Sequence, residues 1–125
     1  MNTSPDSARV ATEGVQQAVF QLELTADRLR SMPLARLRSG EPTPAADAVE
    51  LATHVVDLSR RLDPEHSAPV GRRLPLPADH AVGDLLAVVA ADLARALTGW
   101  HGEGAIEVQR SAEIVAERCM ELRDR

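Results

Sequence analysis

The sequence predicts an all-α fold, an antiparallel up-and-down bundle of about four helices. Three observations predict it. Apolar residues recur at three-four spacing in four separate segments, and proline and glycine fall between those segments. No stretch shows the two-residue alternation of a half-buried strand. A chain of 125 residues is the size of one domain with one core, spanning 1–125, with proline-rich linkers near 33–43 and 63–78.

The first helix is expected to start at Ser4-Pro5, serine as cap and proline in the first turn, and to run to about Ser31, before Pro33. Val15, Ala18, Leu22, Leu29 and Met32 form its apolar stripe, and Thr25 sits in that stripe as a small polar exception. The connector from Pro33 to Pro42 has room for one turn through Leu34-Ala35-Arg36-Leu37, ended by Gly40. Thr43-Pro44 repeats the cap-then-proline start for the second helix, which ends at Asp63-Pro64. Its stripe is Leu51, Val55, Leu58 and Leu62, widened by Ala48, Ala52, Val56 and Ser59.

The segment from Asp63 to Ala78 holds four prolines and no periodicity. Asp79 is the expected cap of the third helix, and Gly99 its expected left-handed C-terminal residue, with Trp100 folding back onto the last turn. Between them lies the most apolar stretch of the chain, with only Asp84, Asp92 and Arg95 marking a narrow polar stripe. A helix this apolar must be buried around most of its circumference, and a subunit interface would cover what a four-helix bundle leaves exposed. In the fourth helix Ala105, Val108, Ala112, Val115, Cys119 and Leu122 alternate steps of three and four without a miss.

Composition excludes several function classes. The longest apolar run, Leu85 to Ala91, is far short of the ~20 residues of a membrane span, and the polar N-terminus lacks the pattern of a signal peptide. A single cysteine, Cys119, permits no internal disulfide, so a cytoplasmic location is expected. All 14 basic residues are arginine, which with the abundance of alanine, valine, leucine, glycine and proline points to a GC-rich bacterial gene of the actinobacterial kind. A net charge of −5 opposes phosphate backbones, and Phe20 and Trp100 alone supply few stacking surfaces. Neither nucleic acid nor a membrane is an expected partner.

Glu50, His54 and Asp57 share one face of the second helix and form a metal-ligand set on paper. At ~100° per residue, however, they lie opposite the apolar centre, where Glu50–His54 and Asp57–Arg61 read as ordinary surface pairs. The arginine pairs 28/30 and 60/61 sit at helix C-terminal ends, where cations meet the negative end of the helix dipole; only Arg72 and Arg73 lack that reason. The four histidines are dispersed, and Cys119 lies on the buried stripe as an inert core thiol. No catalytic, metal or cofactor-binding residue is assigned, and no cofactor is expected.

Gly83-Asp84-Leu85-Leu86 resembles a segment of the MazG-type all-α nucleoside triphosphate pyrophosphohydrolases. That resemblance implies Mg²⁺ held by paired acidic motifs, one of them a Glu-x-x-Asp ending at Asp84. The Glu position holds Ala81, and the upstream acids would have to be Asp47 and Glu50. Trp100-His101-Gly102 resembles the Trp-x-Gly turn of the small WXG-type helical hairpins, whose tyrosine-containing export signal has no counterpart here. The reading expected from the residues is a non-enzymatic bundle that acts as a homodimer or on a protein partner through its third helix. A binding module for an apolar small ligand, or a degenerate pyrophosphohydrolase, are the alternatives.

Overall fold

A computed structural model describes residues 5–65 and 78–125. Among the described residues there are helices and no strands: α1 (Pro5–Arg30), the single-turn α2 (Leu34–Leu37), α3 (Pro44–Leu62), α4 (Val82–Thr98) and α5 (Ala105–Arg123), with one 3-10 turn at Asp79–Ala81. The all-α bundle of four long helices is what the sequence predicts. The expected serine cap at Ser4, and Arg72 and Arg73, lie outside the described residues.

The stripes become the core. Ala11, Val15, Ala18, Leu22, Leu29 and Met32 of the first segment are buried, as are all six stripe residues of α5. Leu37 anchors the short α2 in the same core. Thr43 caps α3, its Oγ1 accepting from the Ala46 N–H at 3.1 Å, with Pro44 in the first turn. Removing that bond in Thr43→Ala is expected to cost about 1 kcal/mol of stability, measurable as a lowered denaturant midpoint with an unchanged slope.

Each long helix packs against two others: α1 against α4 and α5, and α3 against the same two. Around the bundle the order is therefore α1, α4, α3, α5. Cross-helix contacts give the directions. Arg30 near the end of α1 meets Asp84 at the start of α4, so these two are antiparallel. Gly14 of α1 faces Ala112 and Gln109 of α5, and Gln21 faces Arg123, so these two are parallel. Asp47 near the start of α3 meets Arg125, and Glu50 meets Arg118, so α3 opposes α5.

The directions in chain order are up, down, down, up, which corrects the strictly antiparallel expectation. The cross-helix contacts decide this order, and connection length permits it. The short stretches after α1 and after α4 reverse the chain, whereas Leu62 and Val82 stand at opposite ends of the bundle. The 63–78 stretch is long enough, at ~3.3 Å per residue, to match the roughly 28 Å length of α3. One long crossover is an established variant of four-helix bundles.

Two helix ends also differ from expectation. Asp79 does not cap α4; its carboxylate accepts from Arg38 Nε at 2.9 Å, and the 3-10 turn precedes the helix instead. Gly99 is not left-handed (φ −98°); positive φ falls on Gly102 and Gly104. Those two glycines make the reversal, which buries Trp100 while its Nε1 donates to the Glu103 carbonyl at 2.9 Å.

Candidate functional site

The acidic residues do not converge. Asp84 lies on the α1–α4 seam, held by Arg30 at 2.9 Å. Asp47 and Glu50 lie on the α3–α5 seam across the bundle, paired with Arg125 and Arg118. The pairing that a pyrophosphohydrolase-like Mg²⁺ site requires is thus divided between opposite seams. Glu50 and His54 are 4.0 Å apart and half-exposed, while Asp57 pairs with Arg60 at 3.6 Å rather than with Arg61. Among the described residues no three His, Cys, Asp or Glu side chains gather as a metal site.

Two open grooves follow these seams. One, of about 330 Å³, is lined by Asp47, Leu51, Arg118, Glu121, Leu122 and Arg125. The other, of about 350 Å³, runs between α1 and α4 over Ala26, Ala87, Ala90, Ala91 and Ala94, with Glu23 and Asp27 among its lining residues. Alanine on both helices lets them approach closely and leaves a shallow floor. Both grooves are open along one side.

The α1–α5 seam carries the buried polar chemistry. Thr25, the polar exception in the α1 stripe, is fully buried. Its hydroxyl donates to the Gln21 carbonyl at 2.8 Å and accepts from Arg123 Nη1 at 3.0 Å. Arg123 also reaches the Gln21 carbonyl at 3.2 Å and the Gln21 side-chain oxygen at 2.5 Å. A threonine in the core is thereby satisfied, and the same guanidinium ties α5 to α1.

Cys119 lies buried beside this network. Burial pushes its thiol up to about 11, against the opposing influence of Thr25 and the Arg123 charge. A raised value in the folded chain means the unfolded chain releases the proton first. Stability conferred by the neutral thiol is complete below pH ~9 and is lost as pH rises through about 11. The chain has no lysine and no tyrosine, so no other side chain titrates in that window. Denaturant titrations are expected to show a loss on the order of 2 kcal/mol between those limits, absent from Cys119→Ala.

The apolar excess of α4 is mostly covered within the bundle. Val82, Leu86, Val89, Ala90, Leu93 and Ala96 are buried, and Leu85, Ala87 and Leu97 pack against the core. Val88, at 59% exposure, is the large apolar side chain that α4 leaves open. Open apolar surface gathers instead on the two neighbouring helices α1 (Val10, Phe20, Leu24) and α5 (Ile106, Ile114, Met120). These residues fall off the core period, so the apolar stripes do not single them out. Their signal was apolar identity at positions the helical wheel assigns to solvent.

No helix among the described residues is long and apolar enough to cross a membrane. No protein family, characterised protein or solved structure was found to match this chain.

Proposed function

We propose that this chain acts by association with a second copy of itself rather than by catalysis. The observation that carries the reading is the concentration of open apolar side chains on α1 and α5, with Phe20 54% and Ile106 57% exposed. Exposed apolar groups that cluster on adjacent helices favour a surface that is covered when the protein works. Closed two-fold symmetry is the commonest way for one chain to cover such a surface. The docking face thereby moves from α4, where the amino-acid pattern places it, to α1 and α5.

The setting that goes with this reading is a bacterial cytoplasm, supported by the arginine-only basic set and the single buried cysteine. The net charge of −5 and the scarcity of aromatic residues argue for a protein partner over nucleic acid. Association stabilises the folded state by mass action, so the thermal midpoint is expected to rise with protein concentration through the micromolar range. A midpoint independent of concentration would count against the proposal.

A further inference from the structure

We infer that two copies meet through the outer face of the parallel α1–α5 pair, crossed antiparallel about a two-fold axis at the level of Gln17. This rests on the self-association proposed above and adds its geometry. Gly14 lies opposite Ala112 and Gln109, and the Thr25 hydroxyl is 3.5 Å from the Cys119 carbonyl oxygen, which sets the register of the two helices. In that register Val10 stands level with Ile106, and Leu24 stands level with Met120.

Both levels are separated by fourteen residues on each helix, close to four turns and about 21 Å. Fourteen residues bring a side chain back to within about 40° of its starting direction, so the two apolar pairs share one face. Between them Gln17 on α1 and Glu113 on α5 are exposed at the midpoint, and exposed Phe20 stands one turn from Gln17 on the same outward side of α1. Two apolar levels equidistant from a shared midpoint are self-complementary. A two-fold axis in the interface, perpendicular to the helices, sets Val10 on the partner's Leu24 and Ile106 on the partner's Met120.

Charge follows the same symmetry. Asp6, almost fully exposed and 3.7 Å from Arg9 of its own helix, comes opposite the partner's Arg28, and Gln109 and Arg110 come beside the partner's Glu117. The like-charge encounter falls at the axis, where each Glu113 meets its own copy. Glu113 accepts from Gln109 Nε2 at 3.1 Å, which disperses part of that charge. The outer stripe of α4, with Asp84, Val88, Asp92 and Arg95, offers one large apolar residue and no such repeat.

The test is disulfide trapping in the full chain, since cross-links form only where Cα atoms come within about 7 Å. Gln17→Cys is expected to form a covalent dimer under mild oxidation, and Val88→Cys to remain uncross-linked. Asp6→Arg is expected to weaken dimerisation several-fold, with recovery when Arg28→Asp is added to the same chain. Glu113→Gln is expected to tighten it. A native chain that dimerises while Val88→Cys, and not Gln17→Cys, cross-links would overturn this geometry and leave self-association standing. A native chain that stays monomeric would overturn both.

Discussion

Leu93→Ala is expected to lower the stability of the protein by roughly 2–5 kcal/mol, the largest effect of any single truncation argued for this chain. Leu93 is fully buried near the middle of α4, the helix that packs against both α1 and α3. Its removal loses the transfer energy of the deleted carbons and leaves a cavity. Two features keep that cavity from closing. The surrounding core is built from leucine, valine and many alanines, which cannot extend to fill it, and α4 is held on two sides at once. Against a typical total of about 5–15 kcal/mol, the change takes a large share of the stability. Chemical denaturation followed by circular dichroism gives the difference directly. An unchanged midpoint would mean that α4 is not part of the core.

Gly83→Val is expected to cost about 3 kcal/mol, in a position where helix propensity alone predicts a gain. Glycine inside a helix is about 1 kcal/mol less favourable than alanine, so a local argument would replace it. The packing decides otherwise. A Cβ at Gly83 would stand 2.9 Å from the Ala26 carbonyl oxygen and 3.2 Å from the Arg30 backbone nitrogen. These are backbone atoms of α1 and cannot turn aside as a side chain would. Any side chain therefore forces α1 and α4 apart at the point where Arg30 bridges to Asp84. Gly83→Ala should fall between the two, its propensity gain offsetting part of the overlap. Thermal midpoints in the order wild type, Gly83→Ala, Gly83→Val would bear this out; a more stable alanine variant would refute the close approach.

Those two positions show what the amino-acid sequence makes legible. Leu93 could be named from the three-four pattern, because burial in a bundle repeats with the helix period. The same holds for the six buried stripe residues of α5, from Ala105 to Leu122, and for the Thr43 cap, which needs only its own neighbours. Gly83 is different. Its role depends on Ala26 and Arg30, more than fifty residues earlier in the chain. Asp79 reads locally as a helix cap, yet Arg38, forty-one residues away, takes its carboxylate. Gly99 reads as a left-handed terminus, yet the reversal falls on Gly102 and Gly104, where Trp100 can be buried.

Helix direction was hidden for a related reason. A linker long enough to run the length of the bundle is compatible with either arrangement, and only cross-helix contacts distinguish them. Hydrophobicity counted per helix points to α4 as a docking face, whereas exposure points to α1 and α5. α4 is the most apolar helix and yet is largely covered, since it has two neighbours and many alanines. α1 and α5 are less apolar overall but hold their excess on the outside, at Val10, Leu24, Ile106 and Met120.

The measurement that bears most directly on self-association is the mass in solution, by sedimentation equilibrium at micromolar concentration, of the native chain beside the double variant Leu24→Glu/Met120→Glu. Both substitutions lie on exposed positions, so the variant is expected to fold with the same helical content. Self-association through α1 and α5 predicts twice the chain mass for the native protein and a single chain mass for the variant. A native protein with the mass of one chain at every concentration would contradict it.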